Sequence, residues 1–283
     1  MMKRFAFRLV VLSAFVSLLG AGGQAYAQAA AQEAKPAQGT EKPFEPYSGQ
    51  PGKDVVWVPT PQALVDKMLD MAKVTPQDFV VDLGSGDGRT VITAAKRGAR
   101  AMGVEYNPDM VGLAKRNATA AGVGDKAQFV QGDIFETDFS KATVVTLFLL
   151  PNLNLKLRPT ILNMRPGTRV VSNSFTMDDP SGDDWVADQT ETIPNCTSWC
   201  TALMWIVPAK VEGSWQVGNN TLTLDQDFQM LSGRLGNTPI TDAKMNGADI
   251  AFSVGSQKYT GRVDGNQMSG TIAGGGTWKA TKR

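Results

Sequence analysis

Residues 80–90 read VVDLGSGDGRT, a short apolar run that breaks into glycines at 84, 86 and 88. A strand entering a helix through glycines brings backbone N–H groups and a helix N-terminus against a ligand, so this stretch constrains the fold to a strand–turn–helix unit. The spacing narrows the ligand. The dinucleotide fingerprint G-x-G-x-x-G needs glycine where this chain has Arg89, and no Gly-Lys-Ser/Thr follows to make a P-loop. A tight turn requires glycine at one position for a positive φ. Three within five residues exceed that need.

The flanking sequence continues the same grammar. In VWVPTPQALVDKMLDMAKV, Thr60 is the expected N-cap and Pro61 the first helical residue, with Leu64, Val65, Met68, Leu69 and Ala72 at helical spacing. DFVVDL, RAMGVE, AQFVQ and TVVTLFLL read as strands. GRTVITAAKRG and NPDMVGLAKRNATAAGV read as helices, the second capped by Asn107, and NLNLKLRPTILNM as a helix broken at Pro159. PGTRVVSNSF returns to strand, and VADQTETI with CTALMWIVPAKV supplies an antiparallel edge pair. Such alternation predicts an α/β fold, a doubly wound, Rossmann-like sheet over residues 53–209. From residue 210 to 283, short alternating runs separated by Gly, Asn and Asp turns predict a small all-β barrel or sandwich, with Trp215 and Trp278 in the core of its first and last strands.

The N-terminus has a different character. Lys3, Arg4 and Arg8 precede LVVLSAFVSLLGAGG and the small-x-small site AYA at 25–27, the pattern of a secretory signal peptide over residues 1–27. An uncleaved membrane anchor is the alternative, and both place the remainder outside the cytoplasm, in the periplasm or cell envelope. Residues 28–52, rich in Ala, Gln, Pro, Gly and charge, read as a disordered linker. Removing residues 1–27 takes three basic and no acidic residues from totals of 28 and 27, leaving a net charge of −2. That balance offers no electrostatic footprint for nucleic acid or anionic lipid. The chain has no histidine, which excludes a His general base, a Ser-His-Asp triad and His-bearing zinc sites. Its two cysteines, Cys196 and Cys200, are too few for a zinc site of cysteines alone; they read as a small disulfide loop or as two unpaired small hydrophobes.

D-x-G-x-G-x-G, met at Asp82, Gly84, Gly86 and Gly88, is the pattern of class I S-adenosylmethionine (SAM) methyltransferases. Carboxylates follow in the matching places. Glu105 ends the second strand, 17 residues after Gly88, where it can accept both ribose hydroxyls. Asp133 follows the third strand, placed to accept from the adenine amino group while Ile134 packs on the ring. Asp82 lies below the glycine loop, within reach of the methionine ammonium. Singly, each acid is an ordinary strand-end residue; together, after three successive strands, they form a specific signal.

WVPTP, DLGSGDGR, GVEYNPDMV, FLLPNLN, PGTRVVSNSF and DDW together resemble a group of seven-β-strand methyltransferases. The group includes bacterial SAM-dependent enzymes and mitochondrial protein-lysine methyltransferases acting on small membrane proteins, among them carriers and the proteolipid of the ATP synthase. The resemblance spans roughly residues 53–208. It implies SAM contacts at Thr60, Asp82, Gly84, Ser85, Gly86, Gly88, Glu105, Asp133 and Ile134. It also implies that the fourth-strand motif, with Leu149, Pro151, Asn152 and Asn154, forms the floor where donor and acceptor meet. Two departures stand out. LLPN replaces the Asn/Asp-Pro-Pro-aromatic motif that orients planar amides and nucleobases, and Asn173 stands where the group often carries histidine.

Methyl transfer is an in-line displacement at an already activated sulfonium carbon, so alignment and exclusion of water are the protein's main contributions. A lysine acceptor must be neutral against an ordinary pKa of about 10.4, which a desolvated channel lowers. Asn152 and Asn154, with strand-end carbonyls, would hold the amine. Asp178, Asp179, Asp183 and Asp184 either draw a cationic acceptor in or form a solvated acidic loop. The expectation is a methyltransferase acting on a lysine of an envelope or membrane protein, with membrane contact arising through the substrate or an uncleaved anchor. Two alternatives stand beside it: an exported, non-catalytic SAM-fold protein whose β module binds a partner or ligand, and a small-molecule methyltransferase.

Overall fold

The computed structural model describes residues 44–283; the leader and all but the last residues of the linker lie outside them. Helix α1 (Gln62–Met71) buries Leu64, Val65, Met68 and Leu69, the face its spacing marks out. It is followed by β1 (Phe79–Leu83), α2 (Arg89–Lys96), β2 (Arg100–Glu105), α3 (Pro108–Ala120), β3 (Ala127–Gln131) and β4 (Val144–Leu147). Then come α4 (Pro151–Leu162), β5 (Arg169–Asn173), β6 (Gln189–Thr192) and β7 (Thr201–Ile206). The seven strands form one sheet in the order β3-β2-β1-β4-β5-β7-β6. β1 to β5 run parallel, and β7 and β6 close the edge antiparallel.

Successive strand residues serve opposite faces, as a sheet covered on both sides requires. Val80, Val144 and Val171 join one core cluster, and Val81, Val145 and Val170 the other. The strand order reverses between β1 and β4, which leaves a crevice at the carboxyl ends of the strands, the general ligand position in such sheets.

Two local expectations are corrected. Pro61, not Thr60, is the N-cap of α1, and no side chain caps that helix; Thr60 is turned inward instead. Helix α4 runs through Pro159. Pro159 lies on its exposed side, so the carbonyl deprived of a backbone donor there can be hydrated. Asn107 does cap α3, accepting from the N–H groups of Asp109 and Met110 at 2.9 and 3.5 Å. Asn107→Ala is expected to destabilise the protein by about 1 kcal/mol, seen as a lower urea midpoint at unchanged slope; an unmoved midpoint would remove the cap from the account.

Eight strands, β8 (Gly213–Val217), β9 (Asn220–Asp227), β10 (Met230–Leu235), β11 (Thr238–Asn246), β12 (Asp249–Val254), β13 (Gln257–Asp264), β14 (Gln267–Ile272) and β15 (Thr277–Lys282), close into an antiparallel barrel. Trp215 and Trp278 are buried within it, their indole N–H groups donating to the carbonyls of Val211 at 2.7 Å and Thr260 at 2.9 Å. Phe252, Tyr259 and Trp278 pack ring to ring beside Leu222, Leu224 and Met245, so side chains fill the interior. The barrel rests on the sheet through Phe228 stacked on Trp185, the Lys244–Asp188 ion pair at 3.0 Å, and Gln229 donating to the Val186 carbonyl at 2.8 Å.

Candidate active site

The crevice at the β1/β4 switch point is a cavity roofed by residues 50–60. Composition assigned residues up to 52 to a linker, yet from 44 onward they are held. Gly49 N–H donates to the Trp57 carbonyl at 2.8 Å, Trp57 N–H to the Gln50 carbonyl at 2.9 Å, and Pro51 bridges to Val56. This strap crosses the glycine loop, and a Cβ on Gly86 would come within 2.4 Å of the Trp57 indole nitrogen.

Gly84, Gly86 and Gly88 all take positive φ, of 80°, 54° and 84°. Gly84, Ser85 and Gly86 line the cavity, but Gly88 does not. A side chain at 88 would run into Phe129 and Ala114, so this glycine serves close packing of α2 against the sheet rather than ligand contact. Ser85 presents its backbone; its hydroxyl is buried without a partner, against Gly103.

The three acids converge on this cavity. Glu105 is braced as an acceptor by the N–H groups of Gly86 and Asn107, both at 2.9 Å. Asp133 accepts from the Phe135 N–H at 2.9 Å and from Lys53 of the strap. The Lys53 hydrogen bond holds the Asp133 carboxyl below its usual range. Asp82 is the unusual one. It is buried, accepts from the Thr146 hydroxyl at 2.6 Å, and desolvation, with Glu105 and Asp87 adding repulsion, pushes it up to about 7. Asp82 has no ion-pair partner among the described residues; Arg89 pairs with Asp87 at 2.6 Å instead. A buried carboxyl beside other acids, facing a cavity, suits a cationic ligand.

Thr60 lines the cavity, its hydroxyl accepting from the Asn173 amide at 3.3 Å and its carbonyl from Arg89 at 2.9 Å. Asn173 also accepts from the Ser174 hydroxyl at 2.8 Å and is fully buried. Ile134 and Leu149 line the cavity as expected, joined by Leu150 and Leu153.

The rest of the fourth-strand motif is placed differently. Pro151 and Asn152 lie in the first turn of α4, exposed, and do not line the cavity. Asn154 is fully buried and donates to the carbonyls of Phe175 at 3.3 Å and Thr176 at 3.1 Å, tying α4 to the chain after β5. The helix begins directly after Leu150, so the periodicity that carries Leu153 and Leu157 inward takes Asn154 with them. The acidic loop is also structural. Buried Arg158 donates to Asp183 at 2.7 Å, with Asp179 at 4.0 Å, and Asp184 accepts from the Asp179 N–H at 3.1 Å.

Sequence reasoning missed the strap residues Lys53 and Trp57. It also missed an aromatic corner of Phe148, Phe175 and Trp199 on the same cavity wall as Leu149. Trp199 reaches it from the loop closed by the Cys196–Cys200 disulfide, the paired one of the two readings those cysteines allow.

A seven-strand switch-point sheet, a glycine loop leaving its first strand, and acids at the ends of three successive strands define a class I, SAM-dependent methyltransferase. The family model for the ANTKMT methyltransferase domain matches residues 82–183. A protein-lysine N-methyltransferase of Saccharolobus islandicus is 49% identical over 43% of this chain and 77% of its own length. The chain belongs to this methyltransferase family. An adenine nucleotide translocase lysine N-methyltransferase of Mus musculus is 36% identical over 40% of this chain, and the chain spans 50% of that relative's length. Among solved structures, an RNA methyltransferase from Salinibacter ruber in complex with S-adenosyl-L-homocysteine is 47% identical, with a TM-score of 0.50 over 54% of this chain and 96% of that one.

Proposed function

We propose that this protein transfers methyl groups from SAM to the ε-amine of a lysine in a cell-envelope or membrane protein. The observation that carries the cofactor assignment is the acid-lined cavity built around buried Asp82. In this reading Asp82 receives the ammonium of the methionine portion, and the backbone of Gly84 to Gly86 follows its chain. Glu105 accepts from the ribose, and Asp133 with Ile134 takes the adenine. Thr60, its hydroxyl held by the Asn173 amide behind it, lines the wall beside the glycine loop. SAM supplies an activated methyl group, and the chain's own residues align it and exclude water.

The acceptor assignment is supported by two relatives that are lysine methyltransferases by name and by the apolar wall of Phe148, Leu149, Leu150, Leu153 and Phe175. The aliphatic part of this wall, Leu149, Leu150 and Leu153, favours an amine in its neutral, nucleophilic form. The Salinibacter relative raises RNA as a second acceptor. Against it, the cavity lining carries Asp54, Asp82, Asp87, Glu105 and Asp133, while its two cations, Lys53 and Arg89, are each paired to an acid. Phosphate recognition needs free basic groups.

The leader-like N-terminus supports a location outside the cytoplasm, and the disulfide suits an oxidising compartment. The test is to incubate purified protein with tritiated-methyl SAM and a membrane extract from a strain lacking the gene, with total RNA in a parallel arm. Label is expected in protein, recovered as methyl-lysine after hydrolysis. Label confined to RNA or to small molecules, or none despite measured SAM binding, would overturn the lysine reading.

A further inference from the structure

Trp199 poses a problem of its own. It is 40% exposed, in a hairpin loop with no other large hydrophobic side chain exposed, yet its position is tightly determined. β6 and β7 pair up to Thr192 and Thr201, the Ile193 N–H donates to the Cys200 carbonyl at 3.0 Å, and the Cys196–Cys200 bond closes the loop with Cα atoms 5.7 Å apart. Trp199 takes a left-handed φ of 57°, a conformation that costs energy in a bulky residue; Asn195, at 54°, adopts it readily. The loop thus spends a crosslink and one strained residue on holding one indole at the cavity mouth.

The indole meets two more rings there. Its centroid lies 5.1 Å from that of Phe175, tilted at 47°, and 5.8 Å from that of Phe148, tilted at 62°; the two phenylalanines stack at 6.0 Å. All three line the cavity that holds Asp82 and Glu105, next to Leu149. They come from three separate segments: the end of β4, the chain after β5, and the β6–β7 loop. Aliphatic side chains would exclude water equally well. Aromatic faces add an attraction for positive charge, the basis of recognition of alkylammonium groups by aromatic cages.

We propose that Phe148, Phe175 and Trp199 form the acceptor subsite, which binds an alkylammonium group carrying zero to three methyls, and that the Cys196–Cys200 disulfide positions Trp199 for it. The proposal rests on the lysine reading above and deepens it. During transfer the lone pair of the amine nitrogen forms the new N–C bond. The C–S bond breaks with its electron pair retained by sulfur, which becomes a neutral thioether. Positive charge therefore passes from sulfur to nitrogen, against the aromatic faces. A mono- or dimethylated product then loses its proton to water at the open mouth and, once fresh SAM has replaced the spent S-adenosylhomocysteine, can react again; a trimethylated product keeps its charge. The subsite accordingly accommodates lysine in each of its methylation states.

The test uses two probes in the presence of saturating S-adenosylhomocysteine: Nα-acetyl-Nε-trimethyl-lysine amide and its uncharged carbon isostere, in which carbon replaces the quaternary nitrogen. Calorimetry is expected to show the charged probe binding roughly tenfold tighter. Trp199→Ala should abolish this preference and Trp199→Phe retain most of it, both with S-adenosylhomocysteine affinity unchanged. The paired substitution of Cys196 and Cys200 by serine should reduce the preference without altering cofactor affinity, a pattern that general destabilisation would not give. Equal binding of the two probes, no binding of either, or a preference untouched by Trp199→Ala would overturn the subsite. Methyl-lysine formation by wild type and Trp199→Ala at equal rates would leave the lysine reading standing and remove only this inference. Failure of wild type to methylate lysine at all would remove the reading itself.

Discussion

Glu105→Ala is expected to weaken SAM binding at least tenfold with the fold intact. The carboxylate sits at the end of β2, its oxygens held 2.9 Å from the N–H groups of Gly86 and Asn107. That bracing fixes its orientation before a ligand arrives, and each oxygen keeps lone-pair capacity for a ribose hydroxyl. Hydrogen bonds to a charged acceptor contribute roughly 1.5–3 kcal/mol each, so losing both exceeds a factor of ten in affinity. The two N–H groups left behind lie beside a cavity, where water can reach them, so the stability cost is small. Glu105→Gln, with one carbonyl oxygen remaining, should fall between. Titration calorimetry beside a urea melt separates the effects. Unchanged affinity in Glu105→Ala would detach the end of β2 from ribose recognition.

SAM affinity should also collapse on mild acidification, by about a hundredfold between pH 8 and pH 5. The cause is Asp82, pushed up to about 7 chiefly by burial. Because its folded pKa lies above the ordinary carboxylate value of about 3.9, protonated Asp82 stabilises the ligand-free fold. That contribution is complete below about pH 3.9 and is lost as pH rises through 7. A bound cation reverses the preference and requires the ionised form. Below pH 7 binding must therefore expel a proton, and affinity falls by up to tenfold per pH unit. Calorimetry near pH 6 in two buffers of different ionisation enthalpy should report close to one proton released per SAM bound. Asp82→Asn should bind weakly and without this pH dependence. A flat profile for the wild type, or no proton release, would show that Asp82 is not the ammonium partner.

The acids of the cavity were legible because they are tied to strand ends. Asp82, Glu105 and Asp133 each follow an apolar run, and their positions do not depend on how distant segments pack. Gly88 was misassigned because a glycine needed for helix–sheet packing against Phe129 looks the same in sequence as one needed for a ligand. The far wall of the cavity was less legible. Asn154 reads as a polar hand near the reacting atoms until α4 is seen to start at Pro151, which turns that side chain onto the Phe175 and Thr176 carbonyls. The acidic loop reads as a lure for a cation until Arg158, two turns along the same helix, is found inside it. Phe148, Phe175 and Trp199 are brought together only by strand order, and CTSWC was the one local hint. The strap was hidden by composition: residues 44–52 look like a tether, and their order comes from the short hairpin that ends at Trp57.

The most direct test of the whole assignment is a crystal structure of the protein with S-adenosylhomocysteine and the trimethyl-lysine probe. The expected result is a ribose on Glu105, an adenine against Ile134 and Asp133, and a sulfur beside Leu149 facing the probe's ammonium among Phe148, Phe175 and Trp199. A cofactor seated away from Glu105 and Asp82, or an ammonium bound outside the aromatic corner, would contradict it.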